Sequence, residues 1–448
     1  MNFIPLSIMP SSHTPIILVI PFCMLLFMIA TGPVLYSKFW HNNYVKISIG
    51  LALSIFLYYV LILKNYEKMI ASLAEYFQFI CVIASLFIVS GTILINVNAR
   101  AKPIVNVLFL LIGSVLANLI GTTGASMLLI RPYIRLNFSR IRVYHIVFFI
   151  FMVSNLGGGL TPIGDPPLFL GFLNGVPFFW TLKYNFYPWL LSLGVLAVIF
   201  YLIDSTQKLS SGDAVPFKVI IKNKANFLWL LVIILSIFLD PNVLPIVPSI
   251  RFGGHNYSFL RELIMIFVAT TCYKSANREV LVANGFSFEP LKEVVLLFIG
   301  IFITMAPALD MISEFFQSGT EKAVISVKSL YWGTGFLSSL LDNAPTYLTA
   351  LTASMSSYGL KIGNVRDVYK YAYGVTNPSS IKSLMSISVA SVFFGAMTYI
   401  GNGPNFMVKS IAERAGLRMP SFFIYIIKYS VPILLPVLVI VYFLFFCS

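Results

Sequence analysis

Long apolar runs separated by short polar connections dominate the chain. Runs at about 16–36, 46–63 and 77–96 approach or reach the ~20 residues that a helix needs to cross a bilayer. A fourth, at about 103–130, is too long for one comfortable crossing and carries Gly121-Thr122-Thr123-Gly124-Ala125-Ser126 inside it. Arg100 and Lys102 precede it, and Arg131, Arg135, Arg140 and Arg142 follow it. Basic flanks at both ends predict a re-entrant hairpin that enters and leaves by one face, with the Gly/Thr cluster at its tip. The next run, about 144–180, is interrupted by Ser154-Asn155-Leu156-Gly157-Gly158-Gly159-Leu160-Thr161-Pro162-Ile163-Gly164-Asp165-Pro166-Pro167. Prolines lack the N–H and glycines hold a helix weakly, so no α-helix passes through intact. Backbone freed at membrane depth is tolerated only where protein or a wet cavity surrounds it. The pattern therefore predicts a discontinuous transmembrane helix, followed by a span at about 186–204.

The stretch from Asp204 to Lys224 is the most hydrophilic of the chain and reads as a cytoplasmic linker, about 205–224, between two halves of about 1–204 and 225–448. The second half repeats the order. Spans lie near 226–246, 258–273 and 290–310, a second interrupted run covers 329–357, a second broken segment covers 383–412, and a last span covers 422–446. The halves also match residue by residue. Thr161-Pro162-Ile163-Gly164-Asp165-Pro166-Pro167 aligns with Thr398-Tyr399-Ile400-Gly401-Asn402-Gly403-Pro404, and the Gly113 to Leu128 run lies over Gly335 to Ala350. Each half is expected to cross the membrane an odd number of times, which inverts the second half relative to the first. The expected fold class is an all-α polytopic membrane protein of two inverted-topology repeats, each with a re-entrant hairpin and a discontinuous helix.

Composition supports a membrane protein. Of 448 residues, 58% are hydrophobic and only 10% are charged, and mean hydropathy is +0.89. The net charge of +14 would suit nucleic acid, but the basic residues cluster in short connections between spans, as membrane orientation requires. No nucleic-acid partner is expected. On the two-repeat topology, the face holding Lys38, Lys46, Arg100, Arg131, Arg142, Lys222 and Arg414 is the richer in basic residues. That face is then cytoplasmic, and both termini lie outside. No Lys or Arg precedes Lys38, so the first run is expected to be a retained span and not a cleaved signal. The cysteines (Cys23, Cys81, Cys272, Cys447) and histidines (His13, His41, His145, His255) are scattered, without metal-ligand spacing.

Ionisable residues inside apolar runs are costly and are functional candidates. Asp165 in the first break and Asp342 in the second hairpin stand out, whereas Asp310 and Lys428 lie near span ends. A carboxylate at such a place can hold a hard cation together with neutral oxygens, or take up a proton as desolvation favours its neutral form. Asn155, Thr161, Gly164, Thr122, Thr123, Asn343, Thr346, Thr398, Asn402 and Asn405 complete the candidate cation or substrate set, with Asp165, Asp342 and Asn343 as candidate sodium ligands. The half-helices favour anions at their N-terminal ends and cations at their C-terminal ends. A phosphate-binding loop is excluded because no Lys-Ser/Thr follows the glycines. No G-x-S-x-G, H-E-x-x-H or Ser/Lys pair is present for a membrane-embedded hydrolase.

Three stretches carry a resemblance: Asn155 through Pro167, Leu341-Asp342-Asn343-Ala344-Pro345-Thr346, and Thr398 through Asn405. In them the chain resembles the ion transporter superfamily, in particular its bacterial citrate transporters and D-type sodium/proton antiporters. The resemblance implies scaffold helices, a mobile transport unit of hairpins and broken helices, a homodimer, and residence in the bacterial inner membrane. The first hairpin departs from the pattern, with Gly121-Thr122-Thr123-Gly124 in place of an Asp-Asn or Ser-Asn-Thr signature. The expected function is ion-coupled secondary transport by alternating access, without an enzymatic cofactor. Sodium/proton antiport stands first, because the strongest candidates are acidic and no buried Arg or Lys is placed to clasp a carboxylate. Sodium- or proton-coupled transport of citrate or a related di- or tricarboxylate is the alternative, ahead of a channel or an embedded enzyme.

Overall fold

The computed structural model describes residues 15–207, 218–241, 244, 246–252, 255–318 and 324–447. The chain begins with α1 (Ile20–Leu35), α2 (Ser37–Leu57), α3 (Tyr66–Gly91), β1 (Leu94–Asn98), α4 (Pro103–Leu136), α5 (Val143–Met152), α6 (Pro166–Leu173), α7 (Phe178–Ser205) and β2 (Lys218–Lys222). It continues with α8 (Asn226–Ser236), β3 (Ile250–Phe252), β4 (His255–Tyr257), α9 (Leu260–Ser275), α10 (Arg278–Ala283), α11 (Glu289–Ser318), α12 (Val327–Leu340) and α13 (Asn343–Ser357). The last elements are α14 (Val365–Ala372), α15 (Ser379–Phe393), α16 (Gly403–Arg414), α17 (Phe422–Tyr425) and α18 (Leu435–Phe445). Among the described residues, eight helices are long and apolar enough to cross a membrane. The protein is a nearly all-helical, multi-pass membrane protein.

Several boundaries differ from the hydropathy reading. α3 ends at Gly91, and Leu94–Asn98 leave the helix to pair antiparallel with Lys218–Lys222, Leu94 opposite Lys222. Part of the expected linker is therefore a strand; residues 208–217 lie outside the described residues. A second ribbon pairs β3 with β4, so two small β-ribbons qualify the all-α expectation. α3 starts earlier than hydropathy suggests, at Tyr66, because Asn65 accepts the Lys68 N–H at 3.1 Å and Glu67 faces the positive helix end. The first broken segment stops at Leu173, and α7 starts afresh at Phe178 behind Pro177. The expected 226–246 span is a helix only to Ser236, ahead of Pro241. Asp204 is not linker: it lies in α7 and is fully buried.

α4 holds a break at Gly121, whose φ of +77° only glycine adopts cheaply. Its two arms fold onto one another about that residue. Asn106 and Asn137 exchange two 2.8 Å hydrogen bonds, and the rings of Phe109 and Tyr133 lie 5.1 Å apart. Leu129 lies against Gly113. α12 and α13 meet likewise around Leu341-Asp342, with the Ile325 N–H reaching Ser357 Oγ at 3.5 Å. α5 is hydrophobic on every side, and its residues from His145 to Met152 are all buried, as expected of a helix enclosed by others.

Two buried ionic clusters lie outside these breaks. Asp204 receives Arg140 (2.7 Å), Tyr144 Oη (2.6 Å) and Asn106 Nδ2 (3.0 Å), with His145 Nε2 at 3.2 Å. This ties the ends of α4 to α5 and α7. Arg261, 1% exposed, pairs with Glu262 at 2.5 Å and Asp240 at 2.9 Å. Arg140 and Arg261 are buried, and protein carboxylates engage both.

Candidate functional site

The first break solves its backbone requirements locally and through α7. The N–H of Gly158 bonds the carbonyl of Asn155 (2.9 Å), and that of Gly164 bonds Thr161 O (2.9 Å). Three α7 side chains cap exposed carbonyls: Thr181 on Leu160 (2.9 Å), Asn185 on Gly159 (3.1 Å) and Trp189 on Gly157 (3.1 Å). Asn118 Oδ1 accepts the Leu160 N–H at 2.9 Å. Irregular backbone at membrane depth is thus sealed by protein donors and acceptors.

The second break follows the same plan. Thr161 Oγ1 donates to Asn118 O (2.5 Å), and Thr398 Oγ1 donates to Ser339 O (2.6 Å). Each hydroxyl also accepts the glycine N–H three residues on, Gly164 and Gly401, both at 3.1 Å. Gly164 stands against the Gly158 carbonyl as Gly401 stands against that of Gly395, leaving no room for a Cβ in either pair. Asp165 and Asn402 then occupy the same place, each the N-cap of a helix that starts with proline in its first turn.

Four segments meet at Asp165, which is 1% exposed. Thr122 Oγ1 donates to Oδ1 at 2.7 Å, Asn402 Nδ2 to Oδ1 at 3.0 Å, and Asn343 Nδ2 to Oδ2 at 2.5 Å. The Thr122 N–H also bonds Gly164 O at 2.8 Å. Hydrogen bonds to a charged group contribute about 1.5–3 kcal/mol each. Three of them exceed the about 2.5–3.5 kcal/mol that an isolated aspartate costs at a bilayer centre on insertion scales. Thr122 opens the second arm of α4, Asn343 opens α13, and Asp165 and Asn402 cap α6 and α16. Four helix N-termini therefore converge on one carboxylate, and their partial positive charges favour negative charge there.

Not every candidate faces this centre. Asp342 caps α13 through the Ala344 N–H (3.0 Å), and Thr346 Oγ1 bonds Asp342 O (2.9 Å). Thr161 and Thr398 are spent fastening the breaks. Asn405 holds Gly395 O and Thr398 O at 2.8 and 2.9 Å, and accepts Asn155 Nδ2 at 2.6 Å. Thr123 lines a small cavity of about 30 Å³ with Thr122, Asp165 and the α3 residues Val82 and Leu86. That volume suits a water molecule or two. Two buried amide oxygens, Asn155 Oδ1 and Asn343 Oδ1, have no hydrogen-bond partner among the described residues. With the Asp165 carboxylate they offer the hard-oxygen chemistry that an alkali cation prefers. Sequence reading missed Asn118, Ser126, Thr181, Asn185 and Trp189. Ser126 joins Ser154 at 2.8 Å. Thr181, Asn185 and Trp189 sit in an ordinary helical run and carry no local mark of their role; Ser126 ends the Gly/Thr cluster and Asn118 lies three residues before the Gly121 break, so both stood close to a visible signal.

A multi-pass helical protein whose interrupted helices gather around a buried carboxylate points to a membrane transporter rather than an enzyme. A family model described as "Putative citrate transport" matches residues 11–446, and the chain belongs to that family. No curated protein matches the chain significantly.

Proposed function

We propose that the protein is an ion-coupled secondary transporter working by alternating access, with Asp165 as its cation-responsive centre. The observation that carries this reading is the convergence of Thr122, Asn343 and Asn402 on Asp165 from four interrupted segments. Sodium/proton antiport stands first: a carboxylate with the unpartnered oxygen of Asn343 beside it can exchange one cation for another. Asp342, one residue before Asn343, adds negative charge at the same tip. Sodium- or proton-coupled transport of citrate or a related carboxylate is the second reading. The four converging helix N-termini and the family's description favour it.

The folding of α4 about Gly121, and of α12 with α13 about Leu341-Asp342, supports two re-entrant hairpins. The repeated bonding of Thr161 and Thr398 supports two equivalent halves, inverted by an odd number of crossings. On this topology the basic face is cytoplasmic, both termini are outside, and the protein resides in a bacterial inner membrane as a homodimer.

Reconstitution into proteoliposomes tests the reading. Sodium-driven proton movement without organic acid, lost in Asp165→Asn, is the expected result for antiport. Uptake of labelled citrate that requires a cation gradient reverses the order of the two readings. Full transport of both kinds by Asp165→Asn sinks the assignment of the centre.

A further inference from the structure

The end of the second α4 arm carries a feature that the transport reading does not use. Arg131 and Arg135 lie there one helical turn apart, and Arg414 ends α16. α16 packs against α4, and the guanidinium of Arg131 stands within electrostatic reach of both others. Among the described residues no carboxylate forms an ion pair with any of the three. The nearest acid in sequence, Glu413, is engaged by Lys409 at 2.9 Å.

Their partners are neutral and belong to other elements. Arg135 donates to Asn96 Oδ1 of β1 (2.8 Å) and to Ala283 O at the end of α10 (3.1 Å). Arg131 Nη2 reaches Gly285 O at 3.4 Å. Gly285 has φ +50°, and a Cβ there would stand 2.6 Å from Arg131 Nη2, so the corner after α10 is shaped around this side chain. Arg131 Nη1 is buried and has no hydrogen-bond partner, while Arg135 and Arg414 are exposed. Three like charges held together without a counter-charge, one with a buried unused donor, are unfavourable unless an anion joins them. The cluster follows directly on the apolar run that ends at Ile130, which sets it at headgroup depth, and arginine forks match phosphate oxygens.

We propose that Arg131, Arg135 and Arg414 form a binding site for a phosphate-type oxyanion, bridging the second α4 arm, α16 and the corner after α10. The oxyanion comes from an anionic lipid headgroup or from free phosphate, and the experiment separates the two. Purified full-length protein is exchanged into nanodiscs of phosphatidylcholine with or without phosphatidylglycerol, and retained lipid is counted by native mass spectrometry. Thermal unfolding is followed in detergent with inorganic phosphate added. The wild type is expected to retain phosphatidylglycerol over phosphatidylcholine, with about a fivefold loss of preference for each of Arg131→Gln and Arg414→Gln, in line with the strength of one basic side chain at a charged surface. Arg414→Gln changes an exposed residue and serves as the variant that keeps its fold.

Stabilisation of the wild type by inorganic phosphate, absent in both variants and without lipid preference, assigns the same site to a soluble anion. Equal retention of both lipids and an equal phosphate response in wild type and variants overturns the proposal. Neither readout depends on what the protein transports, so the outcome is independent of the transport assay.

Discussion

The two breaks have nearly the same backbone and opposite electrical character. Thr161 and Thr398 fasten them to the preceding segments with bonds of 2.5 and 2.6 Å, and both end in an N-cap with a proline within the next two residues. The first break puts a carboxylate at that cap, and the second puts an amide. Asn402 uses its difference by donating to Asp165 at 3.0 Å, so the second break serves as a ligand of the first. Two breaks fastened in the same way thus carry one charged cap in place of two. Two carboxylates at that separation would repel, whereas acid and amide complete each other.

The largest test of this comparison is Asp165→Asn, which makes the first cap a copy of the second. Transport in proteoliposomes should fall at least ~100-fold, the combined effect of about two lost charge-assisted bonds, while size-exclusion behaviour stays that of the wild type. Next comes Gly164→Ala against Gly401→Ala. A Cβ at Gly164 collides with the carbonyl of Gly158, whereas at Gly401 it stands 2.7 Å from that of Gly395. Both should lower the thermal midpoint, Gly164→Ala by more, on the scale of about 1–3 kcal/mol or above for overpacking; equal midpoints would show that the two turns are packed alike and remove this difference.

Asn343→Ala and Asn402→Ala each remove one donor from Asp165. Each should weaken cation dependence about 10- to 100-fold, as expected for a bond of 1.5–3 kcal/mol to a charged group. An unchanged half-saturating cation concentration in either variant would remove that amide from the site. Thr161→Val and Thr398→Val remove equivalent fastenings and should each cost about 1 kcal/mol in unfolding midpoint, by equal amounts if the breaks are true counterparts. Gly403→Ala is the smallest: a Cβ there meets nothing within 4 Å, so expression, midpoint and transport should stay within about 0.5 kcal/mol of wild type.

Much of the fold was legible because its signals are local. Proline and glycine mark the breaks wherever the chain goes afterwards, and the helix formed by the long apolar run is interrupted at Gly121, inside its Gly/Thr cluster. The errors share a cause as well. Leu94–Asn98 looked like the end of a span because hydropathy does not distinguish a buried strand from a helix. Asp204 looked like linker because a charge next to a polar stretch carries no mark of burial, although Arg140, Tyr144 and Asn106 enclose it.

The sequence alone determined where the long apolar runs must be interrupted, that the chain lives in a membrane, and that Asp165 is a charge requiring compensation. Those are properties of covalent geometry and transfer free energy, which act residue by residue. Only the tertiary structure decided what compensates it. Asn343 and Asn402 reach Asp165 across 178 and 237 residues of chain, and Thr161 and Thr398, equally polar in sequence, turn away to hold backbone. Whether a polar group is ligand or fastener depends on which partner folding brings within 3 Å, and no local pattern carries that information.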